Sequence, residues 1–132
     1  MLKLVTLCCF LLAFCSATKF LFGIEVTCSL DEVFSVTVSH WEQDTGPFDE
    51  DDQIADRYEI FPVYKKLFFY QRGQQDEETG YEFEPYGWFY HNCTKDREFA
   101  TLKKHLPDTN KEHGLEYMEY SVDLTDARGS TS

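Results

Sequence analysis

The stretch Glu84-Pro85-Tyr86-Gly87-Trp88-Phe89-Tyr90-His91-Asn92-Cys93 decides the fold more than any other part of the chain. Because side chains alternate between the two faces of an extended strand, Tyr86, Trp88 and Tyr90 share one face. Phe89 then lies on the opposite face. Alternating aromatic residues are typical of strands that pack in a β-sandwich. The stretch therefore predicts one strand of an all-β domain.

The same period-two alternation recurs along the chain, whereas helical periodicity does not. We predict about seven strands separated by polar turns and loops. They are Phe20 to Cys28, Val33 to Trp41, Tyr58 to Tyr64, Lys66 to Arg72, Glu84 to Cys93, Glu98 to Leu106 and Met118 to Leu124. A helix over Lys95 to His105 is the alternative to the sixth strand, because Phe99 and Leu102 also have helical spacing. Regularly spaced strands of this number predict a two-layer antiparallel β-sandwich.

The N-terminus has the pattern of a secretory signal peptide. Lys3 gives a positive start, Leu4 to Phe14 is apolar, and small residues precede a cut after Ala17. The apolar run is shorter than the ~20 residues of a membrane-spanning helix. A buried helix of a cytosolic protein is the alternative. The predicted organisation is a signal peptide at 1–17, a β-sandwich domain at 18–124 and a disordered tail at 125–132. We expect a secreted, extracellular protein that is not an integral membrane protein.

The cysteines fit export. Of the five cysteines, only Cys28 and Cys93 remain once residues 1–17 are removed. An even pair in an oxidising compartment predicts one disulfide, with two free buried thiols as the alternative. Cys93 also lies inside Asn92-Cys93-Thr94, an acceptor pattern for N-glycosylation at Asn92. A disulfide formed early at Cys93 would hinder this modification, so both outcomes stay open.

The net charge of −12 limits the partners of the chain. So acidic a surface repels phosphate backbones, and we expect no nucleic acid partner. The acids Asp44, Asp49, Glu50, Asp51 and Asp52 could supply oxygen ligands to calcium, with Asp49, Asp51 and Asp52 the weak candidates. Their spacing does not match an EF-hand loop, and we favour a solvated acidic loop with no metal and no cofactor.

Four aromatic residues are candidates for ligand or partner binding: Trp41, Tyr86, Trp88 and Tyr90. They would line a pocket between the two sheets or form an exposed interaction patch. The simpler interpretation is that most of them fill the core, since two facing sheets need large apolar residues between them.

Several short motifs, in their order, resemble the nematode transthyretin-like family of secreted proteins. They are Cys28, Val36-Thr37-Val38-Ser39-His40-Trp41-Glu42-Gln43-Asp44, Asp49-Glu50-Asp51-Asp52, Glu84-Pro85-Tyr86 and His91-Asn92-Cys93-Thr94. The resemblance extends over roughly Phe20 to Leu124 and implies a transthyretin-like sandwich, export and a Cys28–Cys93 bridge. Two features depart from the family: a second cysteine pair is missing, and Ala55-Asp56-Arg57-Tyr58 replaces an expected turn.

The wider superfamily contains hydroxyisourate hydrolase, whose C-terminal Tyr-Arg-Gly-Ser is similar to Arg128-Gly129-Ser130. Ala127 replaces the tyrosine and the N-terminal histidine motif is absent, so we do not expect that activity. The chain also lacks a Gly-x-Ser-x-Gly elbow, a His-Glu-x-x-His motif and a phosphate-binding glycine loop. We therefore predict that the chain is not an enzyme.

The resulting functional hypothesis is a secreted binding or adaptor protein of the transthyretin-like family. Its expected partner is an extracellular protein receptor or a lipid surface. The alternative is a carrier that encloses a small hydrophobic ligand between its sheets, motivated by the aromatic strands. The oligomeric state does not follow from the sequence.

Overall fold

The computed structural model describes residues 17–43, 50–76, 82–109 and 114–132. This part of the chain forms eight strands and no helix. The strands are β1 (Ala17–Thr27), β2 (Phe34–Glu42), β3 (Asp52–Val63), β4 (Lys66–Asp76), β5 (Pro85–His91), β6 (Ala100–His105), β7 (Leu115–Asp123) and β8 (Gly129–Thr131). The predicted all-β sandwich is confirmed, with one strand more than expected.

The strands form a three-stranded sheet of order β4-β1-β7 and a five-stranded sheet of order β3-β2-β5-β6-β8. Most neighbours are antiparallel, but β1 pairs with β7, and β6 with β8, in parallel. The sandwich is thus mostly antiparallel, as predicted, and also contains two parallel pairs. Neither parallel pair is joined by a tight hairpin, so no short turn imposes an antiparallel direction on it.

The core lies between the two sheets and is built from alternate residues of each strand. The inner face of β1 contributes Phe20, Phe22, Ile24 and Val26, and that of β2 contributes Phe34, Val36 and Val38. Phe89 of β5 packs into the same cluster. Burying each such side chain stabilises the fold by roughly 1.5–3 kcal/mol. The period-two patterns predicted for these strands thus identify the core faces.

Two segments that were predicted to be loop or tail contain strand residues. β3 begins at Asp52, inside the expected acidic loop, because one face of this edge strand meets water and tolerates polar residues. The sixth strand, predicted over Glu98 to Leu106 with a helix over Lys95 to His105 as the alternative, is confirmed as β6 (Ala100–His105). The tail expected to be disordered contains β8, whose Gly129 pairs with Leu102.

A disulfide joins Cys28, which follows β1, to Cys93, which follows β5, across 65 residues. It links the two sheets covalently near one end of the sandwich. Of the predicted signal peptide at 1–17, the structure describes only Ala17, the first residue of β1. Residues 1–16 lie outside the described residues, as do Asp44 and Asp49. None of the described residues forms a helix with the length and hydrophobicity of a membrane span.

Candidate functional site

A groove of about 670 Å³ crosses the outer face of the five-stranded sheet. We call it the aromatic groove; its lining consists of Ser35, Thr37, Arg57, Glu59, Trp88, Tyr90 and Phe99. Three strands and one loop contribute to it. β2 and β3 supply the hydroxyl and charged side chains, β5 supplies Trp88 and Tyr90, and Phe99 immediately precedes β6. The groove therefore has a polar side and an aromatic side.

The strand register places these residues in rows across the sheet. Thr37 lies between Glu59 on β3 and Tyr90 on β5. In the next row, Trp88 lies between Ser39 and Lys103. Because residues two apart on a strand share a face, Trp88 and Tyr90 form a continuous aromatic surface along β5.

The aromatic side is exposed. Trp88, Tyr90 and Phe99 keep 36%, 44% and 47% of their surface accessible to solvent. The rings of Tyr90 and Phe99 stack with their centroids 4.6 Å apart and an interplanar angle of 17°. Stacking limits the rotation of both rings, so the groove presents a preformed apolar wall.

The other two predicted aromatic residues lie on the same face, where Tyr86 is buried and Trp41 is half-buried. The Tyr86 hydroxyl donates a hydrogen bond of 2.6 Å to Asp51 Oδ2, and the Lys103 ammonium lies 4.0 Å from the ring centroid. Burial and the Asp51 hydrogen bond raise the pKa of Tyr86. Trp41 Nε1 donates to Ser39 Oγ at 2.9 Å. Of the four candidates, only Trp88 and Tyr90 therefore belong to the aromatic groove.

Sequence reasoning did not name Phe99 as a candidate, although it placed Phe99 in the predicted strand Glu98 to Leu106, because the alternative helix over Lys95 to His105 left the face of this residue open. Strand parity could have placed it correctly, since Phe99 shares its face with Thr101 and Lys103. The expectation that most of the aromatic set fills the core is also corrected. Phe89, on the opposite face of β5, fills the core instead.

A polar network lies inside the core, away from the groove. His40 is fully buried and stacks on Phe22 with ring centroids 3.7 Å apart. Its Nδ1 lies 2.5 Å from Gln71 Oε1, and its Nε2 lies 2.7 Å from the Tyr120 hydroxyl. Gln71 Nε2 donates to the carbonyl oxygens of Val38 and Asp56, which leaves its Oε1 as the acceptor.

These contacts fix the protonation of the imidazole. Nδ1 carries the hydrogen and donates to Gln71, whereas Nε2 accepts from Tyr120. Burial lowers the pKa of His40 to about 3, and the Gln71 hydrogen bond opposes this only in part. Burial also raises the pKa of Tyr120. His40 is thus a neutral structural link between the sheets and does not reach solvent as a catalytic base would.

Asn92 and Thr94 of the glycosylation pattern both make hydrogen bonds within the folded domain, on either side of the disulfide-bonded Cys93. Asn92 Oδ1 accepts a 2.8 Å hydrogen bond from the Ser35 backbone N–H. Thr94 is fully buried, and its hydroxyl donates to the Glu98 carbonyl at 2.6 Å. Modification of Asn92 stays a prediction, and it would have to precede these contacts.

The two described acids of the calcium candidate have different hydrogen-bond partners. Asp51 accepts from Tyr86, whereas Asp52 Oδ2 accepts from Gln75 Nε2 at 3.2 Å. Within the residues that the structure describes, no group of three or more His, Cys, Asp or Glu side chains could hold a metal ion. Asp49, the third candidate, lies outside that part of the chain.

Comparison with known proteins gives one informative likeness. The chain is similar to Protein lin-61 of Caenorhabditis elegans, with 51% identity over 125 residues. The alignment covers 92% of this chain but 20% of lin-61, so the chain spans about a fifth of that relative's length. No family model matches the chain. The likeness fits the predicted nematode origin.

This likeness overturns the functional hypothesis drawn from the sequence. The relative is lin-61 and not a transthyretin-like secreted protein, so the role of a secreted adaptor, with its carrier alternative, is wrong. The carrier also loses its motivation, since the aromatic residues behind it lie on the outer face of a sheet. Nothing in the comparison bears on the transthyretin-like family, the signal peptide or the extracellular location, which stay predictions.

Proposed function

We propose that the chain is a carbohydrate-binding module that holds a neutral oligosaccharide in the aromatic groove. The proposal rests on one observation. The exposed rings of Trp88, Tyr90 and Phe99, here called the aromatic wall, lie beside a polar strip on the same sheet face, which consists of Thr37, Arg57 and Glu59. The proposed role is binding without catalysis, and it concerns the described domain only.

The aromatic wall suits the C–H face of a sugar ring. A pyranose has an apolar face of axial hydrogens, which packs on a flat aromatic ring and removes apolar area from water. Three large rings exposed together form a contiguous apolar patch, and such patches can mark binding sites. Trp88 and Tyr90 follow each other along β5, with Phe99 stacked on Tyr90, and such a row of rings matches a chain of sugars better than a single small molecule.

The polar strip suits the hydroxyl groups of the same ligand. Arg57 supplies several N–H donors, Glu59 supplies carboxylate acceptors, and the Thr37 hydroxyl donates or accepts. A sugar hydroxyl is both a donor and an acceptor, so it needs partners of both kinds. Specific ligand sites generally combine an apolar wall with a few polar groups that converge beside it.

The net charge of the chain and the residues that line the groove favour a neutral ligand. The chain has a net charge of −12, which disfavours sulfated or carboxylated glycans. The same charge argues against single-stranded nucleic acid, which needs a basic groove beside its stacking residues. Among the described lining residues Glu59 is the only carboxylate. Glycoside hydrolysis usually uses two, so binding fits the groove better than cleavage.

Isothermal titration with a panel of neutral hexasaccharides, namely cellohexaose, chitohexaose and mannohexaose, tests the proposal. We expect at least one to bind, and Trp88→Ala or Tyr90→Ala to weaken that binding by tenfold or more. Tyr70→Ala is the matched control, because Tyr70 is an exposed tyrosine on the other sheet. If the panel does not bind, or binds equally to Trp88→Ala, the proposal fails. Binding of a proline decamer instead would assign the groove to peptide recognition.

A further inference from the structure

β7 has a free edge that no described strand covers. This strand of nine residues pairs with β1 on one side only. The edges of β3 and β4 approach each other closely, since a Cβ on Gly73 would lie 2.5 Å from the Ile54 carbonyl oxygen. β8 is only three residues long. Proteins usually protect long edges, because unpaired N–H and C=O groups attract another strand.

Two backbone hydrogen bonds fix which residues face this edge. Lys19 N–H donates to the Gly114 carbonyl, and Leu124 N–H donates to the Thr27 carbonyl. In a parallel ladder such bonds repeat every second residue, so the even-numbered residues of β7 bond to β1. The backbone groups of Tyr117, Glu119 and Ser121 therefore point outward.

Two concavities lie end to end along the same edge, on the side where the sandwich is open. The first, about 340 Å³, is bordered by β7 and the segment after β6. The second, about 360 Å³, is bordered by β7, β6 and the start of the tail. A strand added at the edge would direct every second side chain into them.

The first concavity has a strongly acidic lining. It contains Asp108, Glu116 and Glu119, and its described lining includes no Lys, Arg or His. Glu116 Oε1 is buried without a hydrogen-bond partner among the described residues. A buried carboxylate oxygen is costly unless a donor reaches it. The missing donor is best supplied by a cationic side chain.

We propose that the free edge of β7 accepts an extended, lysine- or arginine-bearing segment of another protein as an added strand. Main-chain hydrogen bonds to Tyr117, Glu119 and Ser121 would hold it, and one basic side chain would enter the first concavity to meet Glu116. A second copy of this chain fits poorly. Antiparallel pairing centred on Glu119 places two glutamates opposite each other, and each copy carries a charge of −12.

The test uses the peptide (Lys-Val)5 as probe and (Glu-Val)5 as control, with binding measured by titration and by amide hydrogen exchange. We expect only the lysine peptide to bind and to slow exchange at Tyr117, Glu119 and Ser121. Ser121→Pro removes one outward N–H and should weaken binding at least tenfold, whereas Ser121→Ala should not. Glu116→Gln should weaken it as well.

Binding without slower exchange at these amides, or equal affinity for Ser121→Pro and Ser121→Ala, would overturn the proposal. So would concentration-dependent dimers that protect the same amides without peptide, because the edge would then take a second copy. Should Ser121→Pro fail to fold, Glu116→Gln and the exchange pattern of the unmodified protein decide the matter. The outcome of the carbohydrate titrations does not depend on this proposal, because the aromatic groove lies on the five-stranded sheet whereas β7 belongs to the three-stranded sheet.

Discussion

His40 shows how a single buried residue joins the two sheets. It lies on β2, yet its two ring nitrogens bond to Gln71 on β4 and Tyr120 on β7. The space around it is constrained too. A Cβ on Gly87 of β5 would lie 2.5 Å from the Tyr120 hydroxyl, so this glycine leaves room for the network.

Stability should fall between pH 6.5 and 5 because of His40. Burial holds its pKa at about 3, below the ordinary 6.5, so the unfolded chain takes up a proton that the folded chain refuses. The contribution is fully present above pH 6.5 and is lost as pH falls towards 3. Burial lowers the pKa of His91 too, which adds in the same direction. Urea unfolding at pH 7, 6 and 5 measures this slope.

The His40→Gln variant should be less stable at pH 7, because it breaks the network, but should show a shallower slope. His105→Gln is the control, since His105 lies on the surface, where its Nε2 is 3.0 Å from Ser130 Oγ. Equal slopes in His40→Gln and the unmodified protein would contradict the structural role of His40.

At the residue scale, the sequence could predict which side chains share a face, but not their partners. The alternation around Phe89 and Trp88 separates the two faces of β5 correctly. It does not say which face is inner, because aromatic residues occur on both. The partners of His40 lie 31 and 80 residues away, and only the tertiary fold brings them together.

At the element scale, the approach of β3 to β4 closes one side of the sandwich. Gly73 on β4 permits it, because any side chain there would collide with the backbone of Ile54 on β3. The acidic start of β3 gave no strand signal in the sequence. Its pairing with β2, rather than its own propensity, makes it a strand.

Gly73→Ala should destabilise the fold by about 1–3 kcal/mol, because a rigid carbonyl cannot move aside without shifting a strand. Gly23→Ala is the matched control. Its added Cβ would lie 3.2 Å from the Tyr117 hydroxyl and 3.3 Å from ring atoms of Phe68 and Tyr70, and these side chains can rotate away. Urea unfolding of both variants measures the difference. A loss at Gly73 no larger than at Gly23 would show that the two edges are not closely packed.

β6 and β8 show the limits of pattern reading for elements. The β6 segment carries apolar residues at both strand and helix spacing, so periodicity alone could not decide. β8 consists of Gly129, Ser130 and Thr131, whose composition is typical of a tail. It is a strand only because β6 offers an unpaired edge beside it.

For the whole molecule, the disulfide is the main covalent restraint and was deducible from cysteine count. The double variant Cys28→Ala with Cys93→Ala should lose about 4 kcal/mol, since the bridge closes a 65-residue loop in the unfolded chain. Urea unfolding measures the loss, and thiol titration of unfolded, unreduced protein should find neither cysteine free. A difference below 1 kcal/mol would mean that the core alone sets the stability.

For the whole molecule, the sequence predicted the fold better than the function. Trp88 and Tyr90 were identified as candidates, but the aromatic groove also needs Arg57, Glu59 and Phe99 from separate elements. Their convergence depends on strand order, which composition and spacing do not encode. The family resemblance led to a functional hypothesis that the likeness to lin-61 overturns.

In the proposed complex, Trp88 in the aromatic groove packs against a neutral oligosaccharide. The chain contains two tryptophans, and each indole N–H gives its own nuclear magnetic resonance signal. The Trp88 signal reports on the groove, and the Trp41 signal reports on a position outside it. On titration with the hexasaccharide that binds best in calorimetry, the Trp88 signal should shift in a saturable manner. The Trp41 signal, whose N–H donates to Ser39, should move little. An unchanged Trp88 signal at saturating hexasaccharide would show that the ligand does not bind in the aromatic groove.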